Sequence, residues 1–474
     1  MIFLINPPFL DVHSTYAVEF KREPYANPAL ALLAAVLFDL KIPYQLVDAK
    51  LEEMTTEALI QRMQKSLGDN RPTLIGLTNS NTTEFANDLK TVALLRQQFP
   101  GVPLVMGGPH VSALPERSLA EGPLIDVLCI FEGKDTLVDL YQHFVNGGSV
   151  HDLGHIPGIA FRNQEGQYVR TENRKKDRTR WADVGLSRWE DFHGKAATWY
   201  IFTTIGCPYR CSYCFNATDF NVSFRNPEVI LQELRYVIHE RGAREFFFAD
   251  PTFAVNRKHT VHLLEQMIAA GLHTGIKWKT MTRVNAIDAE LLDLMRRAGC
   301  YEIALGVEST QEHVLKRANK KTNRDMIDRA VSLVKAAKIN CKAFLIFGHI
   351  GETEADIRAT IRHVVQLNPT DVVVGVMVPW PGTEIYELAL NRKEGFELLS
   401  QEFDKYDKHF GMAMKNNLID MRILENLRVE MYLRLYVQNG RFGDFLKFIW
   451  TFRRAVVFKI WSLLMGSNRQ TSSK

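Results

Sequence analysis

Long uncharged apolar runs are missing from this chain of 474 residues. No stretch of about 18 residues is apolar and free of charge throughout, so a membrane-spanning helix is not expected. Cysteine is scarce: six residues in so long a chain are too few for a disulfide scaffold. The net charge of +4 gives no warrant for a nucleic-acid partner, which needs a concentrated basic face. Internal repeats and low-complexity tracts are also lacking. Residues 1–9 carry no basic segment and run straight into Pro7-Pro8, so they are expected to form a buried strand, not a secretory signal. A cytoplasmic protein living among reduced thiols is expected, where clustered cysteines more often bind metal than pair.

An apolar share of 46% and a charged share of 24% allow ordinary globular cores. At about 150 residues per domain, the length suggests roughly three domains. Residues 1–146 alternate short apolar runs, at 2–5, 44–48, 73–77, 104–106 and 127–130, with helical patterns such as 28–40 and 84–98. That alternation predicts an α/β fold with a doubly wound parallel sheet, whose ligands sit beyond the carboxyl ends of the strands. Residues 147–198 read as a linker carrying a small hairpin. A second alternating run over 199–385 has six strand-like segments, at 200–204, 245–249, 277–282, 301–306, 340–347 and 371–376. Six such units fit a partial (β/α)6 barrel better than a closed eight-stranded one. From about Pro381 the strand signal fades, and residues 386–474 read as a helical region.

Directly after the first barrel strand comes Gly206-Cys207-Pro208-Tyr209-Arg210-Cys211-Ser212-Tyr213-Cys214. The C-x3-C-x2-C spacing sets three thiols, Cys207, Cys211 and Cys214, on one tight loop. An iron–sulfur cluster takes four ligands, so three leave one iron open to chelate a substrate or cofactor. A structural zinc site would need a fourth Cys or His close by, and His239 is distant in sequence. Cys129, Cys300 and Cys341 sit in or beside apolar strands and read as core residues.

This loop resembles the signature of the radical S-adenosylmethionine superfamily, with Tyr213 at the aromatic position before the third cysteine. The resemblance implies a 4Fe-4S cluster whose open iron binds S-adenosylmethionine. Reductive cleavage would then release methionine and a 5′-deoxyadenosyl radical that abstracts hydrogen from an unactivated carbon. It also implies a low-potential electron donor such as flavodoxin or ferredoxin. Further along, Asp250 lies in a segment resembling the strand-two acidic motif, with Pro251 in place of a second acid. Gly306-Val307-Glu308-Ser309 matches the G-V-E-S motif. Gly348-His349-Ile350-Gly351-Glu352-Thr353 is similar to G-x-P-G-E-T, and Pro379-Trp380-Pro381-Gly382-Thr383 to P-x-P-G-T. Tyr213, Asp250, Glu308 and Ser309 are thereby expected near S-adenosylmethionine. Without the family, Asp250 and Glu308 are carboxylates at strand ends, able to accept from an ammonium or a hydroxyl.

Asn6-Pro7-Pro8-Phe9, Gly107-Gly108-Pro109-His110 and Glu132-Gly133 occur in the order seen in radical enzymes with a cobalamin-binding domain ahead of the barrel. The resemblance covers about residues 1–390. It implies cobalamin near Asn6, Thr78, Gly107, Gly108, His110, Glu132 and Gly133. Two glycines after a strand let backbone approach a flat ring closely. The histidine-supplying motif D-x-H-x-x-G is absent, since no glycine follows Asp11-Val12-His13 at the right offset, and this argues against histidine ligation of cobalt. The usual G-E-G-E run appears as Phe131-Glu132-Gly133-Lys134.

The resemblance leaves two enzymatic readings. One is a cobalamin-dependent methyltransferase acting on an unactivated carbon of a hydrophobic biosynthetic substrate. The other is a radical cyclase resembling the anaerobic magnesium-protoporphyrin monomethyl ester cyclases, without methyl transfer. A non-catalytic cobalamin or redox sensor is the reading from another class. Near the end, residues 441–466 carry Phe442, Phe445, Phe448, Ile449, Trp450, Phe452, Phe458 and Trp461, with five basic residues and one acid. On a wheel of about 100° per residue, Arg441, Asp444, Lys447, Thr451, Arg454, Lys459 and Ser462 share an arc of about 140°, which Arg453 breaks. Such a helix suits the membrane interface, and peripheral association with the inner face is expected.

Overall fold

The computed structural model describes residues 1–9, 25–175, 185–215, 220, 222–406 and 413–451. Asp11, Val12 and His13, and the predicted interfacial residues Phe452, Arg453, Arg454, Phe458, Lys459, Trp461 and Ser462, lie outside them.

The N-terminal sheet has seven strands in the order β2-β1-β3-β4-β5-β6-β7. They are β1 (Ile2–Asn6), β2 (Tyr44–Asp48), β3 (Leu74–Thr78), β4 (Leu104–Gly107), β5 (Val127–Cys129), β6 (Ile159–Arg162) and β7 (Tyr168–Arg170). The first five run parallel. Every residue of β1 is buried because helices cover both faces. Ile2 and Leu4 enter one core, and Phe3 and Ile5 enter the other. The chain reverses its direction of travel across the sheet between β1 and β3, which opens a crevice at their carboxyl ends. The hairpin expected between 147 and 198 forms as β6 and β7, and it pairs antiparallel onto β5 as an extension of this sheet. The helix Pro28–Asp39 starts where Asn27 accepts from the backbone N–H groups of Ala29 and Leu30, with Pro28 at the first position.

The second sheet is six-stranded and parallel, in the order β15-β14-β13-β12-β11-β8. Its members are β8 (Trp199–Ile201), β11 (Glu245–Phe248), β12 (Lys277–Arg283), β13 (Cys300–Glu308), β14 (Asn340–Phe347) and β15 (Asp371–Val376). Strands follow one another in sequence order with helices between them, which is the open-barrel arrangement expected. A short ladder of β9 (Thr204–Ile205) and β10 (Ser223–Phe224) flanks its first strand. Inward faces of both sheets share one core that contains Ile2, Leu4, Trp199, Ile201 and Phe248.

The C-terminal region is helical over Met421–Gln438 and Phe442–Thr451, but a two-stranded antiparallel ladder precedes the helices. It joins β16 (Phe396–Leu398) to β17 (Met414–Asn416). At three residues each, these strands are too short to show an alternating pattern. Phe448 stacks on Tyr432 at 4.7 Å and docks the last described helix on its predecessor. The face bearing Phe442, Leu446 and Trp450 stays exposed, at 59%, 66% and 70%. No helix among the described residues is long and apolar enough to cross a membrane.

Candidate active site

The cysteine loop leaves β8 at the carboxyl end of the barrel and is held there by Asp250. That buried carboxylate accepts from the backbone N–H of Thr203 at 2.7 Å and of Thr204 at 3.0 Å, and from the Thr203 hydroxyl. Burial pushes Asp250 up to about 6 despite these donors. Ser212 is tied on both sides: its N–H donates to the Ala318 carbonyl at 3.1 Å, and its carbonyl accepts from Ile385 N–H at 3.3 Å. Cys207 Sγ lies 3.6 Å from Thr252 Oγ1, and Cys211 Sγ accepts from Arg283 Nη1 at 3.5 Å. Although Cys214 reaches solvent, the protein around its thiol pushes it up to about 11, with the adjacent Cys211 and Cys207 sulfurs adding to the effect. A bound cation relieves that repulsion. Cys129, Cys300 and Cys341 are buried in β5, β13 and β14.

Among the described residues, no group of three or more His, Cys, Asp or Glu converges on a point where one ion would sit. In a cubane cluster each thiolate goes to a different iron, so three sulfurs spread along one loop fit it without converging.

Glu308 ends β13 in the left-handed region, at φ 66°, where the pairing register with β14 shifts. Non-glycine residues held there concentrate at functional sites. Its Oε1 accepts from Lys320 Nζ at 2.7 Å, and the same ammonium donates to the Tyr213 hydroxyl at 3.2 Å. Burial, and then the Glu308 charge, hold Tyr213 well above the usual phenol range. A Cβ on Gly306 would stand 2.8 Å from both Glu308 Oε1 and Lys320 Nζ, so a side chain there would push this pair aside. Ser309 turns the other way, donating to Glu352 Oε1 at 3.2 Å. The second oxygen of Glu352 accepts from the N–H groups of Gly348 and His349 at 2.8 and 3.1 Å, joining the loops after β13 and β14. Burial pushes Glu352 up to about 7. Of the residues read as neighbours of S-adenosylmethionine, Tyr213 and Glu308 are brought together, while Asp250 and Ser309 are engaged by protein.

Three further residues at this end carried no sequence signal. Lys320 sits in the polar run Asn319-Lys320-Lys321, which reads as an ordinary loop. Arg283 is the last residue of β12, one basic residue among many. His349 is buried edge-on to Tyr213, with ring centroids 5.5 Å apart. Burial, then the Lys320 charge, pushes it down to about 3, so it is neutral, and its Nε2 has no partner among the described residues.

At the carboxyl ends of β1, β3 and β4 lie Asn6, Thr78, Gly107 and Gly108. Asn6 donates to Asp48 at 2.7 Å. Gly108 has φ 130°, and a Cβ there would be 2.0 Å from the Asn79 carbonyl oxygen. His110 is fully buried between Phe85 and Phe403, at ring distances of 4.2 and 4.6 Å. Neither ring nitrogen has a partner among the described residues, and burial pushes it down to about 3. Glu132 accepts from Lys134 N–H at 2.7 Å at the start of the following helix, with Gly133 at its N-cap. Buried oxygens of Asn6, Asn79, Asn87 and Asp88 lack donors among the described residues. Burial pushes Asp88 up to about 7. Unsatisfied acceptors buried near these strand ends suit a neighbouring ligand rich in N–H donors, such as the carboxamide fringe of a corrinoid.

Residues 23–141 match the B12 binding domain, and residues 201–364 match the Radical SAM superfamily. The chain carries a cobalamin-binding domain followed by a radical S-adenosylmethionine domain. Its cofactors are a 4Fe-4S cluster, S-adenosylmethionine and cobalamin. An uncharacterized methyltransferase of Pyrococcus horikoshii is 26% identical over 425 residues, covering 85% of this chain and 87% of that protein. An anaerobic magnesium-protoporphyrin IX monomethyl ester cyclase of Cereibacter sphaeroides is 25% identical; the match covers 84% of this chain and 65% of the cyclase. In fold, the chain is similar to the radical S-adenosylmethionine methyltransferase TsrM of Kitasatospora setae, solved with cobalamin and a [4Fe-4S] cluster. That similarity has a TM-score of 0.73 at 18% identity, covering 92% of this chain and 88% of TsrM.

The cobalamin-binding and radical S-adenosylmethionine domains meet at Gly382, whose φ is 80°. A Cβ there would lie 2.5 Å from the ring of Phe215, one residue past Cys214, and 3.2 Å from Cβ of Ala113. Ala113 ends the short helix Pro109–Ala113 that begins at the Gly107-Gly108 turn. Gly382 therefore packs between the residue after Cys214 and the helix that begins at the Gly107-Gly108 turn. Enzymes of this class act on small molecules and take their electron from an external donor.

Proposed function

We propose that the chain is a cobalamin-dependent radical methyltransferase that methylates an unactivated carbon of a hydrophobic small molecule. The contact at Gly382 carries this reading, because methyl transfer needs the radical site and the corrinoid to face one substrate. Cys207, Cys211 and Cys214 would hold the cluster, beside which S-adenosylmethionine would bind. When bound, these groups supply the hydrogen-abstracting radical and, from cobalamin, the methyl group.

The chain's own residues bind, orient and shield. Asp250 fixes the approach of the cysteine loop through Thr203 and Thr204. Glu308, poised by Lys320, offers its free oxygen to the ribose hydroxyls or ammonium of S-adenosylmethionine, beside Tyr213. Gly107 and Gly108 give close backbone approach to the corrin, and Asn6, Thr78, His110, Glu132 and Gly133 line or support that crevice. His110 is enclosed by rings and does not ligate cobalt. Flavodoxin or ferredoxin suits the external donor. The exposed face of Phe442, Leu446 and Trp450, continued in sequence by a tail without acids after Asp444, suits peripheral contact with the cytoplasmic membrane surface.

Anaerobic incubation of the reconstituted, reduced protein with candidate lipids, tetrapyrroles and antibiotic precursors tests the reading. Methylated product with S-adenosylhomocysteine is expected. Oxidised, ring-closed product without methylation would instead make the chain a cyclase.

A further inference from the structure

Arg283 is 5% exposed, and among the described residues no carboxylate pairs with it. Its guanidinium is held by three neighbours. Nη1 donates to Cys211 Sγ at 3.5 Å, Nη2 donates to the Lys320 carbonyl, and Cζ lies 3.7 Å from the centre of the Tyr209 ring. Nε is buried without an acceptor among the described residues. A buried cation left without an anion is strongly destabilising. Glu308 is already matched by Lys320, so the anion that Arg283 faces is the sulfur of the cysteine loop.

We propose that Arg283 is a positioning residue that sets the reduction potential of the cluster, which rests on the assignment of Cys207, Cys211 and Cys214 as its ligands. An oxidised cubane core held by three thiolates carries net negative charge. One electron from a low-potential donor, which is itself oxidised, makes that charge more negative. The Arg283 cation and its N–H to Cys211 stabilise the reduced form more than the oxidised one and so raise the potential. Its bond to the Lys320 carbonyl fixes the guanidinium relative to the Glu308–Lys320 pair. Electron acceptance and the S-adenosylmethionine pocket are thereby tied to one side chain. The Tyr209 ring holds the guanidinium in place by a cation–π contact.

The test uses full-length protein reconstituted with iron and sulfide under anaerobic conditions. Iron content and visible absorbance first establish the cluster in the unsubstituted chain; its absence would overturn the ligand assignment and this proposal with it. Midpoint potentials of the unsubstituted chain, Arg283→Gln and Arg283→Lys are then measured by titration followed with electron paramagnetic resonance. Arg283→Gln is expected to shift the midpoint to more negative values, and Arg283→Lys, which keeps the charge, to restore most of the shift. Loss of the cluster in Arg283→Gln alone, with Arg283→Lys retaining it, also supports the charge role. Unchanged midpoints in both variants, an equal shift in both, or cluster loss in both with the fold intact by circular dichroism would overturn the proposal while leaving the ligand assignment standing.

Discussion

Glu308 and Lys320 meet at 2.7 Å with 9% and 5% of their side chains exposed, and the same ammonium reaches Tyr213 on the cysteine loop. A buried pair of this kind is stabilising only as a pair. Removing one partner strands a charge, whereas removing both leaves an apolar gap of similar shape. Lys320→Met is therefore expected to lower stability by about 3–5 kcal/mol, and Lys320→Met with Glu308→Leu to recover a large part of that loss. Denaturant unfolding of the two variants and the unsubstituted chain checks this; additive losses would show that the residues do not act together.

The cysteines divide into two sets. Cys207→Ala, Cys211→Ala and Cys214→Ala are each expected to lose the cluster and deoxyadenosine formation. Cys129→Ala, Cys300→Ala and Cys341→Ala keep both, at a stability loss of about 1 kcal/mol each for the packing removed. Iron analysis and visible absorbance decide, and a full cluster in the triple variant of the first set contradicts the assignment.

Glu352 gives the fold a pH dependence of definite sign. Its carboxyl is raised from 4.5 to about 7 by burial, so the folded state holds its proton more tightly than the unfolded chain. Between those values the unfolded state binds fewer protons, and stability falls as pH rises, levelling off above about 7. Glu352→Gln can accept from Gly348 and His349 through Oε1 and donate to Ser309 through its amide. It is expected to flatten that slope and to raise stability at pH 8 by a few kcal/mol. Thermal melts from pH 4.5 to 8 measure it, and an unchanged slope removes Glu352 as the cause.

Retention of cobalamin tests the N-terminal crevice. Protein supplied with hydroxocobalamin is expected to keep roughly one equivalent through desalting, and Gly108→Ala to lose it, because the added methyl collides with the Asn79 carbonyl. His110→Ala is expected to leave the cobalt spectrum free of the change that follows loss of an axial ligand. Cobalamin passing straight through the column contradicts the assignment of the crevice.

Membrane contact rests on the last helix. Full-length protein is expected to float with anionic vesicles and a chain ending at Asn439 to remain behind. Equal partitioning of the two returns Phe442, Leu446 and Trp450 to a role without lipid.

The first sheet was legible because its strands are covered on two faces and appear as continuous apolar runs, as Ile2–Asn6 does. The barrel strands, buried at alternate residues as Asp371–Val376 is, were legible from their alternation with helical segments. The cysteine loop was legible because its spacing is local. What escaped the sequence depends on long-range placement. Asp250 and Ser309 lie just past strand ends and Glu308 closes one, and only the structure shows the oxygens of the first two engaged by Thr203, Thr204 and Glu352. Arg283 and Lys320 come from different elements and meet the cysteine loop only after folding. The hairpin at β6 and β7 gave no sign that it would pair with β5, since the antiparallel register is set by the partner strand. The ladder of β16 and β17 is too short for any periodicity.

The central claim is most directly tested by one anaerobic turnover of reconstituted, cobalamin-loaded protein, reduced chemically and given S-adenosylmethionine with a trideuterated methyl group. Mass spectrometry is expected to find trideuteromethyl-cobalamin with an equal amount of S-adenosylhomocysteine, and deoxyadenosine in addition. Deoxyadenosine and methionine alone, with no label on cobalamin, would contradict a methyltransferase.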